Sequence, residues 1–240
     1  MSDHSEPEFD QYAQQYGELL RDPIRDRFAA SGEFFFTRKW DLIEAYFSRA
    51  RRDMKSLEWL DVGCGQGDLL RIGANRVARA VGCDPSAGML TGCEGLEVRP
   101  QPDPGKLPFS SDAFDFVTAV CVYHHVPPEA RAALMSEMAR VLRTGGTACV
   151  IEHNPFNPAT QVIVRRTPVD ADAKLLTAGT ARRIMRSSGL RPNSTEYFLY
   201  FPEGLFGKLK GIESALSGVA LGGQYAVFAR KADQLRRSTS

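Results

Sequence analysis

Two aspartates flank a glycine-rich turn, and their spacing suits a ligand that carries both a ribose and a positive charge. Asp61 comes directly before residues 63–67 (Gly-Cys-Gly-Gln-Gly), and Asp84 follows the first glycine after about 20 residues. A carboxylate at Asp84 would stand at a strand end, where it can accept hydrogen bonds from both ribose hydroxyls. A carboxylate at Asp61 would repel a pyrophosphate but attract a cation.

The turn lacks basic residues, which disfavours a nucleoside triphosphate as the ligand. No Lys or Arg lies between Asp61 and Leu70, so the lysine of a nucleoside triphosphate loop is missing. The three glycines allow a sharp turn and a close approach of the ligand. S-adenosylmethionine carries a ribose, an ammonium and a sulfonium but no phosphate. The sequence therefore predicts S-adenosylmethionine as cofactor, with S-adenosyl-L-homocysteine as its product.

Three segments resemble the class I S-adenosylmethionine-dependent methyltransferases, and more narrowly the small-molecule branch called methyltransferase type 11 or type 12. They are residues 61–67, 82–86 and 107–109, in the order and spacing of that family. The likeness extends over residues 9–152. It implies a methyltransferase (EC 2.1.1.-) with a Rossmann-like fold.

The resemblance also implies a contact with the adenine ring. The family commonly places an acid four residues before the position of Leu107, which is Asp103 here. Pro104 stands where the family has a small residue, so this loop departs from the pattern. The complete set of predicted cofactor-binding residues is Asp61, Gly63, Cys64, Gly65, Asp84, Pro85, Asp103, Pro104, Val120 and Tyr16.

Histidines follow two strands that should end at the same edge of the sheet. Methyl transfer from a sulfonium mainly requires an oriented nucleophile, and a protonated nucleophile also needs a base. An imidazole is mostly neutral near pH 7 and can accept that proton. The predicted catalytic candidates are His125, His124 and His153, with a purely structural His125 as the alternative. Glu152 and Tyr197 are weaker candidates.

The cysteines and histidines predict no metal site. None of the four histidines stands at metal-ligand spacing from an acid or a cysteine. The five cysteines include no C-x-x-C pattern, and most fall in or beside predicted strands or the glycine turn. We therefore expect buried, reduced thiols.

The apolar runs around these residues, together with the resemblance, predict the elements that position them. We expect a Rossmann-like α/β fold, with a seven-stranded, mostly parallel sheet, helices on both faces and an antiparallel last strand. The fourth strand, at 114–122, is almost wholly apolar, as expected of a central parallel strand. The sixth and seventh strands are expected at 194–201 and 224–230.

An N-terminal helical lid region is expected over residues 1–55. Its first helix, at 9–20, would place Tyr12 and Tyr16 on one face, since they stand four residues apart. In the resembling family this helix often folds over the cofactor. Ordinary packing of an amphipathic helix is the alternative.

Two further helical features were assigned from apolar periodicity. In the second helical region, Arg38 and Lys39 are expected on a solvated face rather than in a binding site. Residues 203–218 should form a helical insertion between the last two strands, because apolar side chains recur along one helix face. We favour a cap over the active site; a dimer helix or a membrane-surface helix are the alternatives.

Length and charge predict a single methyltransferase domain over residues 1–240. Within it, residues 56–152 would form the cofactor-binding core and 153–232 a substrate-side half. The net charge of +1 gives no electrostatic case for nucleic acid or an acidic membrane. No apolar run approaches the ~18 residues that span a bilayer. With a polar, acidic N-terminus, we expect a cytoplasmic protein, either monomer or homodimer.

The predicted function is methyl transfer to an oxygen or nitrogen of a small-molecule acceptor, such as a sugar or secondary metabolite; transfer to carbon is disfavoured. The alternative is a macromolecular acceptor, either a protein side chain or tRNA. The lack of a basic patch argues against tRNA. A dinucleotide-dependent oxidoreductase is a third class, and Asp61 argues against it.

Overall fold

A seven-stranded sheet runs through the computed structural model, which describes residues 8–232. The strand order is β3-β2-β1-β4-β5-β7-β6, and β7 alone runs antiparallel to its neighbours. This confirms the predicted fold class. The strands are β1 (Glu58–Val62), β2 (Arg79–Asp84), β3 (Val98–Pro100), β4 (Phe114–Val120), β5 (Leu142–His153), β6 (Leu190–Phe198) and β7 (Gln224–Lys231). Residues 1–7 of the expected lid region and residues 233–240 lie outside the described part.

Helices cover both faces of the sheet. They are α1 (Tyr16–Leu19), α2 (Pro23–Phe28), α3 (Gly32–Arg49), α4 (Asp68–Gly73), α5 (Ala87–Leu90), α6 (Arg131–Val141), α7 (Pro158–Arg166), α8 (Ala178–Ser187) and α9 (Glu203–Leu216). Short 3-10 segments join them, including Glu8–Tyr12 and Pro168–Asp170. Within residues 8–232, every helix is too short or too polar to cross a lipid bilayer.

The central strands are apolar on both faces because each face meets a different helical layer. Trp59 of β1 and Phe116 of β4 belong to a core that includes Phe47 of α3. Their sequence neighbours Leu60 and Val117 belong to a second core, which also takes in side chains of α6 and α8. Side chains of a strand point alternately to opposite faces, so a strand covered on both sides must be apolar throughout.

The glycine turn follows β1 as predicted, and two of its glycines are sterically required. Gly63 and Gly67 have φ angles of +67° and +81°, a region that L side chains rarely adopt. A Cβ atom on Gly63 would lie 2.6 Å from Val122, and one on Gly67 would lie 2.5 Å from Leu96. The turn therefore fits tightly between β1 and the loops that follow β2 and β4.

The first helix differs from the prediction. Residues 9–20 form the 3-10 segment Glu8–Tyr12 and the separate four-residue helix α1, so Tyr12 and Tyr16 do not share one continuous helix. The four-residue spacing of the aromatic side chains in 9–20 predicts a helix, but such spacing takes no account of contacts with distant parts of the chain. Contacts of this segment with distant loops, described below, determine its path instead.

Arg38 and Lys39 were expected to face solvent, and this was wrong. Their exposed fractions are only 8% and 4%. Arg38 pairs with Glu213 of α9 at 2.7 Å, and its guanidinium lies 3.7 Å from the centroid of the Phe206 ring. Arg38 therefore links α3 to α9, and ion pairing replaces the water that a solvated arginine would have.

The second half of the chain holds one helix that the sequence analysis missed. Helix α7 begins at Pro158, shortly after β5, in a stretch for which the sequence analysis gives no element. Asn157 caps it by accepting a hydrogen bond from the backbone N–H of Thr160 at 2.9 Å. An Asn followed by Pro is a recognised helix start. The insertion α9 does lie between β6 and β7, as predicted.

Candidate cofactor and acceptor site

Asp84 ends β2 and faces the glycine turn. One carboxylate oxygen accepts a hydrogen bond from the backbone N–H of Gly65 at 2.9 Å, and the other accepts one from Ser86 at 2.9 Å. Burial raises the pKa of Asp84, while these two hydrogen bonds oppose the rise. The carboxylate thus fixes the relative position of the loops that follow β1 and β2.

Asp61 is a buried carboxylate at the end of β1, with an exposed fraction of 3%. It accepts a hydrogen bond of 2.6 Å from the Thr118 hydroxyl, and that hydroxyl accepts one of 2.8 Å from the Trp59 indole. Burial raises the pKa of Asp61 to about 7, although Thr118 and the charge of Lys39 act in the opposite direction. A cationic ligand beside it would stabilise the ionised form.

Lys39 supplies a buried positive charge that the sequence analysis placed in solvent. Its ammonium lies 4.3 Å from the centroid of the Phe36 ring, and its charge lowers the pKa values of Asp61, Asp68 and Cys121. Among residues 8–232, no carboxylate is within ion-pairing distance of it. The available signal was its helical spacing from Phe36, which places Lys39 on the apolar face of α3.

The N-terminal segment lies on the loops of the predicted cofactor site. Asp10 accepts hydrogen bonds from the Ser86 hydroxyl and from the backbone N–H of Gly88, the latter at 2.8 Å. The Gln66 side chain donates to the carbonyl of Ala13 at 2.7 Å. These contacts explain why residues 9–20 do not form one helix, because a straight helix could not follow both loops.

Aromatic residues of the same segment reach toward the histidines. The edge of the Phe9 ring meets the His125 ring at a centroid distance of 4.8 Å. The Tyr16 ring lies 6.5 Å from Phe9. Burial raises the pKa of Tyr16 well above its usual value, and charges at Cys121 and Asp170 add to the rise. Tyr16 is therefore a neutral phenol.

The predicted adenine loop stands at the surface. The carboxylate of Asp103 accepts a hydrogen bond from the backbone N–H of Gly105 at 2.8 Å and is otherwise exposed. Gln101 supports the loop by donating to the carbonyls of Asp103 and Pro104 at 3.3 and 3.1 Å. Of the other predicted cofactor residues, Cys64 is buried, and Pro85 and Val120 are half-buried on the neighbouring loops.

His124 lies between two carboxylates. Its Nδ1 is 2.5 Å from Glu152 Oε2, and its Nε2 is 3.4 Å from Asp170 Oδ1. Burial alone would lower the pKa of His124, but the two carboxylates outweigh it and raise the pKa to about 10. Both ring nitrogens face acceptors, so His124 has no free lone pair and is the least suitable of the three predicted bases.

His125 and His153 have different surroundings. His125 Nε2 lies 3.4 Å from the same oxygen of Asp170, and burial lowers the pKa of His125. His153 ends β5, with its ring 5.1 Å from the His124 ring. Its Nδ1 lies 3.5 Å from Gln224 Nε2, so one nitrogen is left without a carboxylate partner. The structure thus brings all three predicted histidines together.

Asp170 completes this cluster and was not predicted to belong to it. It comes from the 3-10 segment Pro168–Asp170, far along the chain from His124. Burial alone would raise the pKa of Asp170, but the imidazoles of His124 and His125 lower it well below its usual range. No periodic pattern surrounds this residue, so the sequence offered no signal that could have placed it here.

Cys121 and Gln224 form the polar wall beside His153. The backbone of Cys121 has a φ of +57°, which is unusual for a non-glycine residue. Burial alone would raise its pKa, but the charges of Lys39 and His153 lower it to about 7. Gln224 Nε2 lies 3.5 Å from the Cys121 sulfur, and Gln224 Oε1 is buried with no partner among residues 8–232.

Comparison with known proteins shows what the middle of the chain is similar to. The family described as a methyltransferase domain matches residues 60–150. Demethylmenaquinone methyltransferase of Symbiobacterium thermophilum is 30% identical over 157 residues, which cover 60% of this chain and 62% of that protein. The tRNA (carboxymethyluridine(34)-5-O)-methyltransferase alkbh8 of Xenopus tropicalis is 36% identical over 92 residues, which cover 38% of this chain and 14% of that protein.

A solved structure supports the same fold over more of the chain. The crystal structure of a SAM dependent methyltransferase from Archaeoglobus fulgidus aligns with a TM-score of 0.58 and 21% identity, covering 84% of this chain and 100% of that one. At 21% identity, the alignment shows that the two chains share a fold. The chain spans 62% of the length of the first of the two curated relatives and 14% of the second.

Proposed function

Since residues 60–150 form a methyltransferase domain of the class I S-adenosylmethionine-dependent kind, we propose that this chain transfers a methyl group to an oxygen or nitrogen of a small molecule. One observation carries the proposal. Asp61 and Asp84 place two carboxylates beside the glycine turn at the carboxyl ends of β1 and β2, and the buried ammonium of Lys39 on α3 acts on Asp61. Ligands of open α/β sheets bind at that end.

Each charged group of this set has a partner on the cofactor. Asp84 would accept hydrogen bonds from the ribose hydroxyls. Asp61 would face the ammonium of the methionine part, and Lys39 would face its carboxylate. Asp103 is the proposed partner of the adenine amino group, although its carboxylate must leave Gly105 or share it. Opposite charges at both ends of the amino acid would orient the sulfonium toward the acceptor.

The acceptor would bind between the ends of β4 and β5 and the N-terminal segment. Phe9 and Tyr16 supply an apolar wall on one side, and Cys121 and Gln224 supply polar groups on the other. The acceptor oxygen or nitrogen would form a bond to the methyl carbon as the carbon–sulfur bond breaks. His153 is the proposed base, because no carboxylate of residues 8–232 holds a proton on its ring, and the neutral imidazole keeps one lone pair for the displaced proton.

A small acceptor is favoured over a macromolecule by the extent of the similarities. The relative that acts on demethylmenaquinone matches over 157 residues, whereas the tRNA methyltransferase matches over 92. The shorter match carries little information about the acceptor side. The contacts of the N-terminal segment with two loops, Asp10 with Gly88 and Ala13 with Gln66, also favour an enclosed, small ligand.

Calorimetric titration with S-adenosylhomocysteine, with NADH in parallel, tests the cofactor assignment. We expect binding in the micromolar range for the first, roughly −8 kcal/mol, and none for the second. Asp84→Ala should weaken the binding by about 1–3 kcal/mol, while Asp112→Ala, at an exposed turn, should not. Binding of NADH instead of S-adenosylhomocysteine would overturn the proposal.

A set of candidate acceptors then tests the substrate class. The protein is incubated with radiolabelled S-adenosylmethionine and either small-molecule extracts or bulk tRNA. We expect label in the small-molecule fraction, and loss of transfer in His153→Ala with cofactor affinity unchanged. Label confined to tRNA or protein would refute the small-molecule part and leave methyl transfer itself intact.

A further inference from the structure

Three donor atoms converge beside the proposed acceptor site. They come from His124, His125 and Asp170, and one donor atom of each lies within 4.8 Å of the others. The shortest contacts among them join Nε2 of each histidine to Asp170 Oδ1. Each ring nitrogen is 3.4 Å from the carboxylate oxygen. The side chains of His124 and Asp170 are 1% and 9% exposed, whereas that of His125 is 19% exposed. The cluster is therefore buried on two sides and can be reached past His125.

The separations fit a shared ion better than direct hydrogen bonds. A backbone-like N–H···O hydrogen bond has a donor–acceptor distance of about 2.9–3.0 Å, and 3.4 Å is long for one. A tetrahedral ion with bonds of about 2.0–2.1 Å separates its ligand atoms by about 3.3–3.4 Å. Both nitrogens show this distance to the same oxygen of Asp170, which is far from both histidines in the sequence.

An outer carboxylate prepares one of the imidazoles. Glu152 Oε2 lies 2.5 Å from His124 Nδ1, and Glu152 Oε1 accepts a hydrogen bond of 2.6 Å from the backbone N–H of Tyr123. The Glu152 carboxylate holds a proton on Nδ1, so a metal ion that displaces the proton of Nε2 would find its lone pair there. This carboxylate–histidine pair is typical of metal ligands in proteins.

The charges of the cluster also favour a divalent cation. Glu152 is fully buried and Asp170 is 8% exposed, so two carboxylates lie out of contact with bulk water. Burying negative charge is costly unless a cation compensates it. Once the ion has displaced the proton from Nε2 of His124, one divalent charge would balance the two carboxylates.

We propose that His124, His125 and Asp170 form a binding site for a divalent transition-metal ion of the zinc class, with Glu152 as the outer partner of His124. Two imidazoles and one carboxylate suit Zn²⁺ or Co²⁺ better than Mg²⁺ or Ca²⁺, which prefer all-oxygen sites. Three protein ligands leave a fourth position open. The inference concerns ion binding alone and does not depend on the proposed methyl transfer.

Metal titration of the full-length protein tests this site directly. The protein, without a polyhistidine tag and after treatment with a chelator, is titrated with Zn²⁺ by calorimetry and with Co²⁺ by visible absorption. We expect one ion per chain, with the intense bands of tetrahedral Co²⁺ and no sulfur-to-cobalt charge transfer. Absence of 1:1 binding, or a thiolate signature, would overturn the proposal without any variant.

Variants then identify the ligands. Asp170→Asn keeps the shape of the side chain, and we expect it to lower the affinity for Zn²⁺ by more than roughly 100-fold, as should His125→Ala. Glu152→Gln should lower it by roughly 10- to 100-fold. Asp172→Ala, at an exposed position two residues from Asp170, is the control and should bind as the parent does. Parent-like affinity in Asp170→Asn would refute the assignment.

Discussion

At the residue scale, Asp61 couples ligand binding to pH. In the free protein its pKa is about 7, because burial disfavours the carboxylate. The proposed ammonium partner requires the ionised form. Below pH 7 the site must therefore release a proton as the ligand binds, whereas above pH 7 the carboxylate is already charged.

We expect the affinity for S-adenosylhomocysteine to fall about tenfold per pH unit as the pH drops below about 7, and to stay level just above it. Calorimetry between about pH 5.5 and 8.5 measures this, with Asp61→Asn as the control. The Asn variant should bind weakly and without this pH dependence. If the affinity of the parent protein does not change with pH, Asp61 does not pair with the ammonium of the ligand.

Lys39 can be tested by removing either its charge or that of its ligand. We expect Lys39→Met to weaken S-adenosylhomocysteine binding by about 1.5–3 kcal/mol, because a charged hydrogen bond to the ligand carboxylate is lost. Methylthioadenosine has no amino-acid part, so its affinity should change little. Equal losses for both ligands in calorimetry would mean that Lys39 supports the fold of the site rather than the carboxylate.

The limits of the sequence analysis are clearest at single residues. Asp61 and Asp84 could be placed in advance, because a strand and a glycine turn fix the path of the backbone around them. The helical spacing of Lys39 from Phe36 indicates a buried position, whereas its charge favours an exposed one, and the expectation of a solvated face followed the charge. Asp170 had none: a short 3-10 segment brings it to His125, and only tertiary packing determines where that segment lies.

At the element scale, the sheet was predictable and the N-terminal segment was not. Apolar runs predict the central strands because a strand that is covered by helices on both faces must be apolar throughout. Residues 9–20 have helical spacing, but the long-range bonds of Asp10 and Gln66 determine their conformation. The lid role of this segment stays a prediction.

The dissociation rate of the ligand tests that role. We expect Asp10→Ala to release S-adenosylhomocysteine roughly fivefold faster, which corresponds to ~1 kcal/mol for the lost hydrogen bonds to Ser86 and Gly88. Stopped-flow fluorescence measures the rate. Glu18→Ala, at an exposed position of α1, is the matched control. Indistinguishable rates in the two variants would argue against a lid.

The contact between α3 and α9 depends on one buried ion pair. We expect Glu213→Ala to lower the free energy of unfolding by about 3 kcal/mol, because Arg38 keeps only the half-exposed Asp41 as partner. Urea denaturation measures it. Glu97→Ala breaks an exposed pair with Arg79 and should cost less than about 1 kcal/mol. If both variants lose less than about 1 kcal/mol of unfolding free energy, water replaces the partner of Arg38 in Glu213→Ala.

At the scale of the whole molecule, ligand binding should appear as added stability. At 100 times its dissociation constant, S-adenosylhomocysteine should add about 2.7 kcal/mol and raise Tm by about 5–10 °C. Differential scanning fluorimetry measures this, and NADH should leave Tm unchanged. A shift with NADH alone would contradict the cofactor assignment.

The arrangement of the last strands suggests how such a protein could be re-engineered. Within residues 8–232, β6 pairs with β7 alone and β7 pairs with β5. Residues 154–223, which include β6, therefore make no strand pairing with β1 to β5. Exchanging this stretch for that of another methyltransferase would leave the register of β1 to β5 unchanged, provided the apolar face of α8 is kept. The fold thus separates the inherited cofactor scaffold from a transplantable segment.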